Sequence, residues 1–225
     1  MTVSAVIPAH NEEERIGAVI RVLCQVDKIN EILVVDDGSE DNTFQAAFDS
    51  GASVLKMQAN GGKASAMCAG AAAAAGDILL FVDADLSGLL AEHITSLLEP
   101  VLNGKADMSV GIFSSGRVST DIAQFVSPQL SGQRVLRRDV FLRVAAGMED
   151  SGYGIESVIT KYSKKEEWNV EIVEFNGVSQ VTKEEKLGFS KGAVARLKMY
   201  SDIVKTIGSR KKFAHLKKPD STYNR

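Results

Sequence analysis

The feature that most constrains the fold is a regular alternation of strand and helix patterns through residues 2–113. Short apolar or β-branched runs predict strands, and apolar residues spaced three and four apart predict helices between them. Because the connections are helical, neighbouring strands pair in parallel through crossovers. We therefore predict an α/β fold with a mostly parallel central sheet and helices on both faces. The predicted strands are 2–8, 31–35, 52–57, 78–82 and 107–113, and the predicted helices are 12–26, 41–48, 63–75 and 89–102.

The pattern loosens after residue 113. Strands are still predicted at 133–136 and 170–175, and helices at 139–146, 155–165 and 189–207. The length of 225 residues, with 44% hydrophobic and 24% charged residues, fits one packed domain and excludes a disordered or fibrous chain.

Charge and cysteine content narrow the class of protein further. The formal net charge is −3, but the segment from residue 186 onward carries +9 and the rest −12. Cys24 and Cys68 lie in apolar, helix-like stretches, and we expect both to be buried free thiols. The sequence has no signal-peptide pattern and no apolar run long enough to span a bilayer. We expect a cytoplasmic protein without a nucleic-acid partner.

Ligands of a parallel α/β sheet bind outside the carboxyl ends of its strands, so the residues after each strand are the candidate site. Pro8 closes the first predicted strand, Ala9 follows it, and an acidic run begins at Glu12 and continues to residue 14. That charge would repel a diphosphate and favours a sugar or base, although helix capping also explains the acids. Asp36 and Asp37 follow the second strand, where carboxylates can accept hydrogen bonds from ribose hydroxyls or a base N–H. A capped turn is the alternative interpretation.

The residues after the third and fourth strands are suited to phosphate and metal binding. Residues 60–63 form an Asn-Gly-Gly-Lys stretch, in which backbone N–H groups and Lys63 can approach a phosphate. The fully apolar fourth strand ends in Asp83 and Asp85, two carboxylates that a hard divalent cation bridging a diphosphate would neutralise. We interpret His93, in the following helix, as an ordinary surface residue.

As a set, these motifs resemble the family 2 glycosyltransferases of the GT-A fold. The resemblance rests on PAHNEEERI, VVDDGSEDNT, NGGKASAMCAG and ILLFVDADLSG, which cover residues 1–113 in this order and spacing. In the second half, SGQRVLRR at 131–138 resembles the acceptor-side segment that the family writes as sGfralrr. GYGIE at 152–156 resembles a segment of glucosyl-3-phosphoglycerate synthases and polyprenyl-phosphate sugar transferases.

The resemblance implies a metal-dependent transferase that moves a sugar from a nucleotide-diphosphate donor, expected to be a UDP-sugar, to a phosphorylated small molecule or a lipid phosphate. It divides one domain, 1–225, into a nucleotide-sugar half (1–113), an acceptor half (114–207) and a basic tail (208–225). By the same resemblance, Pro8, Ala9 and Glu12 line the uridine pocket, Asp37 contacts the base, Lys63 approaches the diphosphate, Asp83 contacts the ribose or sugar with Ala84 beside it, and Asp85 ligates Mg²⁺ or Mn²⁺.

Two catalytic questions stay open in the sequence. An inverting transferase needs a general base, for which Asp150 and Glu156 are the candidates, whereas a phosphate acceptor is already ionised and needs none. Some relatives also have a metal-binding histidine after the late strand, where this chain has Gln180, a poorer metal ligand. A catalytically degenerate nucleotide-binding protein of the same fold is therefore the alternative function.

Two other enzyme classes fit less well. A phosphatase of the haloacid dehalogenase type has its D-x-D motif after the first strand, where the first Asp is a nucleophile, but here the motif follows the fourth. A nucleotidyltransferase would need a basic, glycine-rich loop after the first strand, and PAHNEEE is the opposite.

The basic tail suggests a further contact. Residues 203–207 give the end of the last predicted helix an apolar side, and five bases follow within 210–218. Such a segment can bind an anionic leaflet reversibly, where a lipid-phosphate acceptor would reside. A solvated end, or a tail packed on the partner of a homodimer, is the alternative.

Overall fold

The computed structural model of the chain describes residues 1–114, 131–147 and 154–180, and these residues belong to one compact unit. The strands are β1 (Val3–Ala9), β2 (Glu31–Asp36), β3 (Ser53–Lys56), β4 (Ile78–Phe81), β5 (Leu86–Ser87), β6 (Met108–Ser114), β7 (Arg134–Arg137), β8 (Val170–Asn176) and β9 (Ser179–Gln180). The helices are α1 (Ile16–Leu23), α2 (Thr43–Asp49), α3 (Lys63–Ala73), α4 (Ala91–Leu102), α5 (Arg138–Ala146) and α6 (Ile155–Lys165).

Seven strands form the central sheet, in the order β3-β2-β1-β4-β7-β6-β8. Strands β1 to β4 pair in parallel, as the helical crossovers predict, and β6 pairs in parallel with β8. Strand β7 lies between β4 and β6 and runs antiparallel to both. The start of β7 therefore lies at the same edge of the sheet as the ends of β4 and β6. A second, two-stranded sheet pairs β5 with β9.

The core lies on both faces of the central strands. All four residues of β4 are buried, and β1 is buried along nearly its whole length, which is the pattern of a strand covered by helices on both sides. Helix α1 contributes an apolar face at three- and four-residue spacing, with Ile16, Val19, Ile20 and Leu23 buried. Burial of these side chains, at roughly 1.5–3 kcal/mol each, fixes the strand ends that carry the polar residues.

The prediction that a helix begins at residue 12 is wrong. Helix α1 begins at Ile16, and Asn11 does not cap it. Asn11 instead has a left-handed backbone with φ of 55°. Its N–H donates to Ser39 Oγ at 3.0 Å, and its side-chain oxygen accepts from the N–H of Glu40 at 2.9 Å. Asn is one of the few residues that adopts this conformation readily, so the acidic stretch forms a turn between the loops after β1 and β2.

The predicted burial of three single residues is also wrong. His93 is buried rather than on the surface, and its ring stacks on Phe175 with ring centroids 5.1 Å apart. Cys24 is exposed and Cys68 is half-buried, so neither is the fully buried thiol that their apolar neighbours suggested. Cys24 is the C-terminal cap residue of α1, where the helix face that packs on the core has ended.

Some predictions lie outside the described residues, namely Asp150, the helix at 189–207 and the basic tail. Within the described ranges, no helix combines the length and the apolar character needed to cross a membrane.

Candidate active site

Lys63 joins carboxylates from two distant parts of the chain at the carboxyl edge of the sheet. It is the first residue of α3, and its ammonium lies 2.6 Å from Asp83 Oδ1 at the end of β4. The same ammonium lies 3.0 Å from Glu156 Oε1 in the first turn of α6. Three residues predicted for separate roles therefore form one ionic cluster.

The electrostatics of this cluster follow from its burial. The side chains of Asp83 and Glu156 are 9% and 14% exposed, whereas that of Lys63 is 41% exposed along its length. Desolvation alone would lower the pKa of Lys63, but the charges of Asp83 and Glu156, with their hydrogen bonds, outweigh it and raise that pKa above its ordinary value. Lys63 is therefore a fixed cation at neutral pH.

The second carboxylate oxygen of Asp83 accepts a hydrogen bond from the residue just before β7. Gln133 Nε2 donates to Asp83 Oδ2 at 2.9 Å, and the Gln133 side chain is fully buried. The chain comes equally close at Gly132, where a Cβ would lie 2.4 Å from Asp83 Oδ1 and 2.6 Å from Lys63 Nζ. Only glycine leaves room for the ion pair at this position.

Asp37 organises the loop before α3. Its two carboxylate oxygens accept hydrogen bonds from the N–H of Gly61 at 2.7 Å and of Gly62 at 2.8 Å. Gly62 has a left-handed backbone with φ of 83°, which glycine adopts without cost. Asp37 thus holds the loop that ends in Lys63. The predicted contact of Asp37 with a base is an additional role that this geometry leaves as a prediction.

The loop after β1 lies against the loop after β2. The N–H of Asp37 donates to the carbonyl oxygen of Ala9 at 2.8 Å, which extends the β1–β2 pairing by one hydrogen bond. Glu12 is largely buried: its N–H donates to Thr43 Oγ1 at 2.8 Å, and its carboxylate lies 3.5 Å from Arg15. Pro8 is the register partner of Val35 on β2. These residues form a rigid wall, and their predicted contact with uridine stays a prediction.

Asp85 lies at the point where the small sheet begins. Its side chain is largely buried, and the next residue, Leu86, pairs with Gln180 across β5 and β9. The backbone of the predicted histidine-equivalent position therefore lies next to the D-x-D motif. Gly88 makes this pairing possible, because its φ is 75° and a Cβ there would lie 2.3 Å from the carbonyl oxygen of Gly177.

The donor set around Asp85 suits a hard cation. Within residues 1–114, 131–147 and 154–180, no three His, Cys, Asp or Glu side chains come together as a complete metal cage. Mg²⁺ and similar ions in phosphate-binding sites are commonly held by one or two carboxylates while the substrate phosphates supply other oxygens. Asp85, with Asp83 two residues before it, fits that mode of binding.

Sequence reasoning missed two buried residues beside the cluster, Arg134 at the start of β7 and Gln133 just before it. Arg134 is fully buried, donates to the carbonyl oxygen of Ser131 at 2.8 Å and to Thr160 Oγ1 at 2.9 Å. Burial lowers the pKa of Arg134 to about 10, against the opposing effect of the charge of Glu156. The other residue is Gln133. A polar residue where the family segment has phenylalanine was the available signal for it.

Comparison with known proteins agrees with this geometry. The sequence pattern of glycosyl transferase family 2 matches residues 4–148. The chain belongs to glycosyl transferase family 2. The resemblance inferred from the strand-end motifs is thereby confirmed.

Two curated relatives each match just under half of this family 2 chain. Glucosyl-3-phosphoglycerate synthase of Mycolicibacterium smegmatis is 36% identical over 110 residues, which are 45% of this chain and 36% of that protein. Undecaprenyl-phosphate 4-deoxy-4-formamido-L-arabinose transferase of Pectobacterium carotovorum is 38% identical over 112 residues, or 45% of this chain and 34% of that protein. The matched segment thus spans about a third of the length of each relative.

Solved structures extend the likeness along most of the chain. Glucosyl-3-phosphoglycerate synthase of Mycobacterium tuberculosis, in complex with Mn²⁺, UDP and glucosyl-3-phosphoglycerate, superposes with a TM-score of 0.71 at 25% identity. The match covers 92% of this chain and 80% of that one. The same enzyme with Mn²⁺ and UDP-glucose gives the same TM-score. The fold is accordingly the GT-A fold, as predicted.

Proposed function

We propose that this protein transfers a sugar from a UDP-sugar to a phosphorylated acceptor in a metal-dependent reaction. The observation that carries the proposal is the Lys63 ammonium, which lies within 3.0 Å of both Asp83 and Glu156 at the ligand edge of the sheet. This contact brings residues of the predicted nucleotide-sugar half, Lys63 and Asp83, together with Glu156 of the predicted acceptor half. The bound UDP-glucose, Mn²⁺ and glucosyl-3-phosphoglycerate of the Mycobacterium tuberculosis structures support it.

The donor would lie along the ends of β1, β2 and β4. Pro8, Ala9 and Glu12 would line the uridine pocket, and Asp37 would contact the nucleobase. Lys63 would approach the diphosphate, but Asp83 and Glu156 already neutralise its ammonium, so the charge of the divalent cation would be needed to hold that anion here. Asp83, with Ala84 beside it, would accept hydrogen bonds from the hydroxyls of the ribose or the sugar.

Asp85 would hold the divalent cation, Mg²⁺ or Mn²⁺. When bound, the cation neutralises charge on the departing diphosphate. The relatives crystallised with UDP carry Mn²⁺ or Mg²⁺, which supports this assignment. The buried carboxylate of Asp85 and the adjacent β5–β9 pairing would keep the cation at the end of the apolar strand β4.

Of the two candidate catalytic residues, Glu156 lies among the described residues and Asp150 does not. The Glu156 carboxylate is held 3.0 Å from Lys63, so it faces the same space as Asp83. With an acceptor hydroxyl, Glu156 could take the proton as the bond to the sugar forms. An acceptor phosphate is already ionised and would need no general base. Asp150 stays the alternative general base.

The phosphorylated acceptor is proposed from the names of the relatives. One matched relative is named for 3-phosphoglycerate and another for undecaprenyl phosphate, so the two acceptor types share a phosphate group. The GYGIE stretch, which contains Glu156, is the part of the sequence that resembles both classes. A small phosphorylated acid and a lipid phosphate are therefore the two acceptors to compare.

The experiment is a product assay with UDP-glucose and Mn²⁺, run in parallel with 3-phosphoglycerate and with a polyprenyl phosphate. We expect a glucosylated product with one acceptor and a loss of that product when Mn²⁺ is chelated. Asp85→Asn serves as the inactive control. If the protein binds UDP but yields neither product nor hydrolysis with a panel of UDP-sugars, the degenerate nucleotide-binding protein is the better assignment.

A further inference from the structure

We propose that Gln133 is a positioning residue that fixes the carboxylate of Asp83 for the donor sugar nucleotide, an inference that rests on the proposed function. Gln133 is fully buried, and its Nε2 donates to Asp83 Oδ2 at 2.9 Å. Because Lys63 occupies the other side at Oδ1, both oxygens of Asp83 are held in place.

The orientation of the Gln133 amide is itself fixed. Ser131 Oγ lies 2.9 Å from Gln133 Oε1 and 3.2 Å from the Gln133 N–H, and it also contacts the carbonyl oxygen of Gly111. An ionised carboxylate only accepts hydrogen bonds, so the amide must turn its NH₂ group toward Asp83 and its oxygen toward the Ser131 hydroxyl. The chain of contacts therefore runs from β6, through Ser131 and Gln133, to Asp83.

The backbone supports the same arrangement. Strand β7 runs antiparallel to β4, with Arg134 paired to Phe81, so the residues just before β7 lie over the residues just after β4. Gly132 fills the remaining space, because a Cβ there would lie within 2.6 Å of both Asp83 oxygens. Residues 131–133 thus lie directly against the Asp83 carboxylate.

Holding Asp83 in this way has a functional consequence. A carboxylate that is already oriented loses little conformational freedom when a ligand hydroxyl binds to it, and this preorganisation raises affinity. Without the Gln133 amide, Asp83 would lose the hydrogen bond at Oδ2 while it kept its charge and its contact with Lys63. The proposal therefore assigns to Gln133 an effect on donor affinity that is exerted through Asp83.

The test is a double-mutant cycle with Gln133→Met and Asp83→Asn, read in two ways. Calorimetry with UDP-glucose and Mn²⁺ measures the donor Kd, and urea unfolding measures the midpoint of each variant. The cost of ordering one side chain on binding, which Asp83 would then have to meet, predicts a Kd raised about tenfold by Gln133→Met. In the Asp83→Asn background the same substitution should change the urea midpoint less than it does in the wild-type protein. Additive midpoint shifts, or a Kd within twofold of wild type for Gln133→Met, would overturn the proposal.

Two serine variants keep the test informative if Gln133→Met folds poorly. Ser131→Ala removes the hydroxyl that orients the amide, and we expect a smaller rise in the donor Kd. Ser163→Ala is the control, because Ser163 is likewise a hydrogen-bonded serine out of full contact with solvent, but its hydroxyl donates to the carbonyl oxygen of Thr160 within α6. It should lower the urea midpoint without changing the Kd, and equal effects of the two serine variants on the Kd would contradict the proposal.

Failure of the proposed function gives a different result. If the wild-type protein binds neither UDP-glucose nor UDP with Mn²⁺, the donor assignment is wrong. The urea cycle then decides alone whether Gln133 holds Asp83. Non-additive midpoint shifts of the two substitutions would support the contact, and additive shifts would contradict it.

Discussion

The ammonium of Lys63 lies 3.0 Å from the carboxylate of Glu156, so the first residue of α3 is tied to the first turn of α6. Lys63 ends the Asn-Gly-Gly-Lys stretch at 60–63, whereas Glu156 ends the GYGIE stretch at 152–156. Because the two residues form an ion pair, removing the charge of either one leaves the charge of the other less compensated. Glu156 and Asp83 would repel each other without the cation between them.

Replacing Lys63 should destabilise the fold as well as the donor site. Lys63→Met leaves Asp83 and Glu156 as two largely buried carboxylates without their shared cation. We expect a loss of about 2–3 kcal/mol in the free energy of unfolding, below the roughly 3–5 kcal/mol for a fully buried pair because the Lys63 side chain is 41% exposed. Lys28→Met is the control, because Lys28 forms an exposed pair with Glu99, and it should cost at most about 1 kcal/mol. Urea titration compares the two, and equal losses would contradict the buried cluster.

Removing the Asp85 carboxylate should separate metal binding from folding. Asp85→Asn keeps the size of the side chain but lowers its affinity for a hard cation. We expect the variant to fold and to lose the Mn²⁺-dependent part of UDP binding, which calorimetry with and without Mn²⁺ measures. Asp49→Asn, at the exposed end of α2, should leave both quantities unchanged. Unchanged Mn²⁺ dependence in Asp85→Asn would remove Asp85 from the metal site.

Glycine 88 offers a test of the small sheet that follows Asp85. Gly88 and Gly104 both have left-handed backbones, with φ of 75° and 67°, so alanine strains both. Only at Gly88 would the new Cβ meet another atom within 4 Å, the carbonyl group of Gly177. We expect Gly104→Ala to cost about 1 kcal/mol from backbone strain, and Gly88→Ala to cost more and to weaken Mn²⁺-dependent UDP binding. Equal effects in both assays would indicate that the β5–β9 pairing does not support the site.

The residue opposite Leu86 is a second test of the same sheet. Gln180 pairs through its backbone with Leu86, the residue that follows Asp85. Imidazole is a better ligand for Mn²⁺ than a carboxamide, so Gln180→His should strengthen Mn²⁺ binding measured by calorimetry. Histidine at positions 179, 181 and 182 provides the comparison. No gain at any of the four positions would remove this strand from the metal site.

The basic tail carries a prediction that rests on sequence alone, since it lies outside the described residues. Clustered bases near an anionic leaflet contribute about 1 kcal/mol each. We expect the full chain to sediment with liposomes that contain anionic lipid at low salt, and a chain ending at Gly208 to do so less. Equal and negligible binding by both chains would favour an acceptor in solution and leave the tail without a membrane role.

Sequence patterns were sufficient for the main strands and their order of appearance, because the apolar runs at β1, β2 and β4 are long and end in polar residues. Strands β5 and β9 could not be predicted, since each has two residues and too little periodicity to register as a strand. The antiparallel direction of β7 was equally hidden, because direction depends on which strands become neighbours. Helix α1 began later than predicted because Asn11 adopts a turn instead of a cap.

The candidate site was predicted as a set of residues but not as a set of contacts. The D-x-D motif and Lys63 were recognisable because each follows a strand, and strand ends share an edge. The hydrogen bond from Gln133 to Asp83 joins positions 50 residues apart, and local pattern carries no information about such a partner. The same holds for His93, whose burial depends on Phe175 of a distant strand.

Strand β7 runs antiparallel to both of its neighbours, and this has a consequence for which residues reach the ligand edge. The ladder that joins β4, β7 and β6 pairs residues 78–81 and 108–110 with residues 134–137. A parallel strand in the position of β7 would bring its last residues to the edge where β4 ends, whereas β7 brings its first residues there. The residues that enter β7, Gly132 and Gln133, therefore take the place beside Asp83 that the residues leaving a parallel strand would otherwise occupy.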